Sequence, residues 1–151
     1  MGESGGLVYL VHPHSDVLLS LYEVLAAAGF DVAASSNAAH ALDYVARSRP
    51  GAVLCHWDMP ELGGTELLGR LRQASPETRV IMTSGQADAR MYDLVRGRGG
   101  DDLLREPLSG LSVVQAVSRM LGLSIPYTPT DPVAFPDPEL RGNEERRRRS
   151  S

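Results

Sequence analysis

The chain has 151 residues, of which 42% are hydrophobic and 23% charged, and its net charge is −4 at pH 7. This size and composition predict one globular domain with a hydrophobic core, and the mild negative charge argues against nucleic acid or a membrane surface as partner. No apolar run approaches the roughly 20 residues of a membrane span, and the first residues lack a secretory signal pattern. The single cysteine, Cys55, excludes an internal disulfide and favours a reducing, cytoplasmic setting.

Residues 6–122 alternate between short apolar runs, which predict buried strands, and segments with apolar residues at helical spacing. Ser15 is the predicted N-cap of the first helix, and Gly29 is its predicted stop. The predicted strands are 7–11, 31–35, 51–56, 79–84 and 101–104, and the predicted helices are 15–29, 37–48, 64–75, 87–98 and 109–122.

Five strands that alternate with five helices predict an α/β fold of three layers. The expected architecture is a doubly wound, five-stranded parallel sheet with helices on both faces, because right-handed crossovers place successive helices there. The common strand order for a sheet of this size is 2-1-3-4-5.

The segment 123–151 differs in character from the rest of the chain, since it holds five of the ten prolines. Such a composition predicts a disordered or extended tail. The tail contains a basic run, Arg146 to Arg149. We interpret this run as a solubilising end rather than a contact for nucleic acid.

Open α/β sheets bind ligands outside the carboxyl ends of their strands, at the point where the strand order reverses. A pocket is therefore predicted where the first, third, fourth and fifth strands end. The residues at these ends are 12–16, His56, Thr83 with Ser84, and 105–107.

Three motifs at these ends carry a family resemblance: "WDMPELGG" at 57–64, "VIMTSG" at 80–85 and "GGDDLLREP" at 99–107. Together they resemble the receiver domain of bacterial response regulators, a flavodoxin-like fold, over residues 6–122. The resemblance implies an acidic pair that holds Mg²⁺ after the first strand. It also implies an aspartate, ending the third strand, that accepts a phosphoryl group from a phosphohistidine kinase. A hydroxyl after the fourth strand and a lysine after the fifth would hold that phosphoryl group.

Carried over residue by residue, the resemblance departs from the family pattern at this pocket. The acidic pair falls on His12 and Pro13, the acceptor aspartate on His56 and the lysine on Glu106, while Ser84 keeps the hydroxyl. Mg²⁺ prefers oxygen ligands, and the transferred phosphoryl group needs a cation beside it. We therefore expect that Mg²⁺ binding and ordinary aspartyl phosphorylation are lost.

Two interpretations of the altered pocket remain open. Three histidines near it, His12, His14 and His56, with Glu106, Asp58 and Asp16 around them, could bind Zn²⁺ or Ni²⁺, because a set of imidazole and carboxylate ligands suits these ions better than Mg²⁺. In the simpler interpretation the site has decayed, and the histidines only form local hydrogen bonds. Asp58 belongs to the same degenerate pocket and keeps a backbone carbonyl that could ligate a cation.

The expected function is a phosphorylation-independent protein-interaction module in bacterial signalling, with no enzyme activity and no bound cofactor. By the resemblance, the face formed by the fourth helix, the fifth strand and the fifth helix contacts another protein or a second copy. Alternatives are a small-ligand or metal sensor that uses His12 and His56, and a phosphorelay receiver with unconventional chemistry. The candidate residues on the interaction face, several of which must instead belong to the core, are Met91, Leu94, Val95, Leu103, Val114 and Val117.

Overall fold

A computed structural model describes residues 6–123 and contains all five predicted strands and all five predicted helices. The strands are β1 (Leu7–Val11), β2 (Asp31–Ser35), β3 (Ala52–His56), β4 (Arg79–Ser84) and β5 (Asp102–Arg105). The helices are α1 (Ser15–Ala27), α2 (Ala38–Ser48), α3 (Gly64–Ala74), α4 (Ala89–Gly97) and α5 (Gly110–Met120). The predicted tail lies outside the described residues except for Leu123, whose backbone N–H donates to the carbonyl of Ser118 at the end of α5.

The five strands form one parallel sheet in the order β2-β1-β3-β4-β5, which confirms the predicted topology. The strand order reverses between β1 and β3, so their carboxyl ends meet at the centre of one edge of the sheet.

Two hydrophobic cores lie on opposite faces of the sheet, because successive side chains of a strand point to opposite sides. Val8 and Leu10 of β1 belong to the core that contains α1 and α5. Tyr9 and Val11 belong to the core that contains α2, α3 and α4, where the Tyr9 ring stacks on Tyr44 with centroids 4.4 Å apart. The alternation within one short strand thus fixes a three-layer fold.

Helices α2, α4 and α5 begin one or two residues later than predicted, and the N-cap of α1 also differs from prediction. The N-cap of α1 is His14, not Ser15, which already lies in the helix. Helix α4 begins at Ala89 rather than at residue 87, because the Asp88 side chain caps it and accepts the Met91 N–H at 2.8 Å. Gly29 has φ of 99° and lies just beyond the end of α1, as predicted.

Among residues 6–123, no helix combines the length and the apolar character that a membrane crossing requires.

Candidate functional site

Four polar side chains meet at the carboxyl edge of the sheet, each two residues beyond an apolar residue of the α1–α5 core. Leu10, Leu54, Ile81 and Leu104 pack in or against that core. Since side chains two apart on a strand lie on the same face, each of these residues has a polar successor on that face at the strand end. The four successors are His12, His56, Thr83 and Glu106.

Backbone hydrogen bonds hold these positions by extending the ladders beyond the strands. The amide of His12 donates to Ser35 at 3.4 Å, and the amide of Glu106 donates to Ser84 at 2.9 Å. His56 pairs with Thr83 in the β3–β4 register. The backbone of the site residues is therefore held by hydrogen bonds to the sheet and does not belong to long loops.

The Glu106 carboxylate is the centre of the cluster and accepts three side-chain hydrogen bonds. His12 Nε2 and Thr83 Oγ1 each lie 3.1 Å from Oε2. His56 Nδ1 lies 3.2 Å from both carboxylate oxygens. The rings of His12 and His56 are themselves close, with centroids 4.4 Å apart.

The hydrogen bonds of His12 fix its neutral tautomer. The backbone N–H of His14 donates to His12 Nδ1 at 3.1 Å, so Nδ1 must present a lone pair. The ring proton of neutral His12 is then on Nε2, where it points to Glu106. The Nδ1–H of His56 also donates to Glu106, and no hydrogen bond within residues 6–123 engages its Nε2.

The surroundings of Glu106 favour its ionised form. Burial by itself would raise the pKa of Glu106, but the hydrogen bonds that its carboxylate accepts from His12 and His56 hold that pKa well below its usual range. The site therefore presents a fixed negative charge surrounded by three donors.

Comparison with known proteins shows the family of the chain. The family model described as "Response regulator receiver domain" matches residues 8–118, most of the chain. The chain belongs to the response regulator receiver domain family.

Relatives of this receiver domain include a transcriptional regulatory protein PrrA from Mycobacterium bovis. It is 32% identical over 122 residues, which cover 80% of this chain and 52% of the relative. A protein-glutamate methylesterase/protein-glutamine glutaminase 3 from Paramagnetospirillum magneticum is 30% identical over 118 residues, 72% of this chain and 33% of its own. The chain thus spans about half the length, or less, of these curated relatives.

Solved structures share the fold of this receiver domain. The receiver domain of Francisella response regulator 1452 superimposes with a TM-score of 0.72 at 22% identity, covering 77% of this chain and 96% of that one. At 22% sequence identity, this similarity shows a shared fold and does not extend to function.

The hydroxyl that meets Glu106 in this receiver domain is Thr83, not the expected Ser84. Ser84 is buried, and its Oγ accepts the N–H of Gln86 at 3.1 Å in the loop after β4. The alternation of side chains along β4 could have predicted this, since Thr83 lies on the same face as Ile81, whereas Ser84 lies on the same face as Met82.

The structure corrects the expected trio of histidines. Its only described group of three potential metal ligands within residues 6–123 comprises His12, His56 and Glu106, with ligand atoms all within 4.8 Å of one another. The His14 side chain is exposed at the start of α1, and Pro13 has no donor atom in its side chain. Glu106, which the sequence placed around the histidines, is therefore part of the group, whereas His14 is not.

The turn after β3 keeps Asp58 outside this group. Asp58 is exposed and pairs with Gly63 in an isolated β-bridge. Gly64 is buried against Trp57, whose ring occupies the space that a Cβ at position 64 would need. The glycine of the motif thus permits a close approach of the backbone to the aromatic ring.

Three residues of the expected interaction face lie in the cores instead. Val95, Val114 and Val117 are at most 1% exposed and cannot contact a partner. Met91 and Leu103 are partly buried against the α2–α3–α4 core, and Leu94 is 39% exposed. Hydrophobic residues of α4 and α5 thus serve mainly to attach these helices to the sheet.

Tyr92 of α4 is not among the predicted face residues, although its side chain is 42% exposed. Tyr92 lines an open hollow of about 290 Å³ between α4 and β5. The lining residues are Ala87, Asp88, Ala89, Tyr92, Asp93, Leu103 and Arg105.

Proposed function

We propose that this chain is a phosphorylation-independent receiver domain that acts as a protein-interaction module in bacterial signal transduction. The observation that carries the proposal is the pair formed by His56 and Glu106. By the family resemblance these positions belong to the phospho-accepting aspartate and to the lysine. This chain has a base on β3 and an acid after β5, so the polarity of the pair is reversed.

Reversed polarity opposes phosphoryl transfer. The transferred group gains stability from cations placed around its oxygens. Here the side chain after β5 is an ionised carboxylate, and two charges of the same sign at ~4 Å repel by about 1–4 kcal/mol, depending on the local dielectric. His56 also lacks the carboxylate on which an aspartyl phosphate would form.

The donor atoms of the site do not fit Mg²⁺. This ion requires oxygen ligands in near-octahedral geometry. The described cluster offers two imidazoles and one carboxylate. Asp16 and Asp58 are exposed and lie outside that group. We therefore derive no step through Mg²⁺ in this chain.

A receiver domain without phosphoryl chemistry would act through its surface. The exposed Tyr92 of α4 lines the α4–β5 hollow, which combines apolar area with the charges of Asp93 and Arg105, and the exposed Leu94 lies on another side of the same helix. This combination suits contact with another protein, since interface centres favour aromatic and apolar side chains within a polar rim.

The test of phosphorylation independence is a titration of the full chain with beryllofluoride and Mg²⁺, followed by amide NMR. We expect no saturable shifts at residues 56–60 or 83–86. Clustered, saturable shifts there would contradict the proposal and favour a receiver that still accepts phosphoryl groups.

The test of the interaction surface is capture of a partner from the native cell by wild type and by the Tyr92→Asp/Leu94→Asp variant. We expect the double variant to lose a partner that wild type retains equally with and without acetyl phosphate. Leu19→Asp is the matched control, because Leu19 is 59% exposed on α1, which packs on the opposite face of the sheet from α4. Equal capture by all three proteins would exclude the α4 surface.

A further inference from the structure

We propose that His12, His56 and Glu106 form a binding site for a transition metal ion of the Zn²⁺ class. The proposal concerns a ligand of the altered pocket and stands apart from the interaction role of the α4 surface. It rests on the convergence of three potential ligands from three elements, with their ligand atoms within 4.8 Å of one another.

The donor set suits zinc. Two imidazoles and one carboxylate form one of the common three-ligand sets for Zn²⁺, and they leave a fourth position for water or another ligand. With bonds of about 2.0–2.1 Å, neighbouring ligand atoms of a tetrahedral ion are about 3.3 Å apart. The histidine–carboxylate distances of 3.1 and 3.2 Å already match that spacing.

The ligands are also held before any ion arrives. The side chains of His12, His56 and Glu106 are only 5%, 14% and 19% exposed. Thr83 donates to the carboxylate of Glu106 and so orients it, as outer partners of metal ligands commonly do. Cys55 does not compete, because its thiol is fully buried and lies against the carbonyl of His56.

Metal binding would require the two imidazole protons that face Glu106 to change nitrogens. Each ring stays neutral and presents a lone pair to the ion. The proton of His56 would move to Nε2, which has no hydrogen bond within the described part of the chain. The proton of His12 would move to Nδ1, where the backbone N–H of His14 now donates.

The site is therefore coupled to the start of α1. Since two N–H groups cannot donate to each other, the bond between His14 and His12 breaks when the ion binds. His14 is the N-cap residue of α1, so its amide should report occupancy of the site. The ion would shift the start of this helix relative to β1.

The test is calorimetric titration of the untagged full-length chain with Zn²⁺, with Mg²⁺ as the negative control. We expect one Zn²⁺ per chain and no saturable binding of Mg²⁺. The variants His12→Gln, His56→Gln and Glu106→Gln should each raise the Kd for Zn²⁺ at least about tenfold. Substituting a residue that only hydrogen-bonds to a metal ligand can already weaken metal binding by this factor. His40→Gln and His14→Gln are the controls, and we expect both to bind as wild type does, because both side chains are exposed.

Two spectroscopic measurements complete the experiment. Co²⁺ in place of Zn²⁺ should give the visible absorption of a tetrahedral site, and Glu106→Gln should abolish it. The His14 amide resonance should shift with the same saturation curve as the calorimetric signal. Circular dichroism of each variant confirms that the fold is retained.

Three results would overturn the proposal. The first is an absence of saturable Zn²⁺ and Co²⁺ binding by the folded wild type. The second is an equal loss of affinity in His40→Gln, which would indicate adventitious surface binding. The third is loss of binding in His14→Gln with full binding in Glu106→Gln, which would place the ion elsewhere. None of these results bears on beryllofluoride uptake or on partner capture, so the proposed function is tested separately.

Discussion

His56 and Glu106 face each other across the ends of β3 and β5, with Nδ1 of the histidine 3.2 Å from each carboxylate oxygen. The pair joins two strands that are not neighbours, since β4 lies between them. His12 and Thr83 donate to the same carboxylate, so one acid connects the ends of β1, β3 and β4. The cluster is both the candidate site and a structural element of the sheet edge.

The reversed polarity of this pair predicts a compensating double substitution. His56→Asp alone should lower the free energy of unfolding, because it places two carboxylates face to face. Adding Glu106→Lys should recover much of the loss by rebuilding an ion pair of opposite polarity. We expect a coupling energy of about 1–3 kcal/mol, as found for residues in one polar network.

The measurement is urea denaturation followed by the fluorescence of Trp57, the single tryptophan of the chain. The control is the same cycle at Glu66 and Arg70, an exposed ion pair within α3. That cycle should give a coupling of only about 0.5 kcal/mol or less. Additive losses at positions 56 and 106 would show that the two side chains do not stabilise each other.

The depressed pKa of Glu106 predicts a specific pH dependence of stability. A carboxyl group whose pKa is lower in the folded than in the unfolded chain stabilises the fold above its unfolded pKa. This stabilisation is lost as the pH falls from 4.5, the ordinary pKa of a glutamate side chain, toward the lower pKa that Glu106 has in the folded chain. Glu106→Gln should therefore lower the free energy of unfolding by about 1–3 kcal/mol near neutral pH.

The difference in the free energy of unfolding between wild type and Glu106→Gln should shrink steadily as the pH is lowered from 5. The measurement is denaturation of both proteins at several pH values. Glu66→Gln serves as the control, and it should change stability little throughout, because Glu66 is 58% exposed. A difference independent of pH would mean that shape, not charge, makes Glu106 stabilising.

Restoring the acceptor alone should not restore phosphorylation. His56→Asp returns a nucleophile, but Glu106 still repels the incoming group, and position 12 still carries an imidazole. When several groups act as one catalytic unit, restoring only one of them recovers little activity. The fourfold variant His12→Asp/Pro13→Asp/His56→Asp/Glu106→Lys should incorporate far more label.

Radiolabelled acetyl phosphate with Mg²⁺ provides the measurement, and sensitivity of the label to hydroxylamine identifies an acyl phosphate. Wild type is the control for background label. Substantial hydroxylamine-sensitive label on His56→Asp alone would mean that His56 is the sole obstacle, and that the rest of the pocket still supports transfer.

The close approach of Gly64 to Trp57 predicts opposite effects of two glycine substitutions in α3. Gly64→Ala should lower the free energy of unfolding by about 1–3 kcal/mol and shift the fluorescence of Trp57, because the added methyl group displaces the ring. Gly69→Ala meets open space in the same helix and should raise stability by up to about 1 kcal/mol through helix propensity. Equal effects at the two positions would contradict the packing of Trp57.

The sequence by itself determined the architecture. Short apolar runs and helical spacing predicted every strand and helix within 6–122, and the strand order is the common one expected for a parallel sheet of this size. These patterns are local, and each element buries its own apolar residues, so one sequence suffices to find them. The rule that open α/β sheets bind ligands outside the carboxyl ends of their strands likewise predicted that the ends of β1, β3, β4 and β5 form one pocket.

Only the tertiary structure decided which side chains meet in that pocket. Thr83 faces the site in place of Ser84, because the register and pleat of the strands fix which of two adjacent residues does so. His14 is left out of the group because its side chain is exposed at the start of α1, whereas Glu106 meets His12 and His56. The structure alone also assigned Val95, Val114 and Val117 to the cores, leaving Tyr92 and Leu94 exposed. A helical pattern shows that a residue is apolar, but whether it contacts the sheet or a partner depends on how the helix packs.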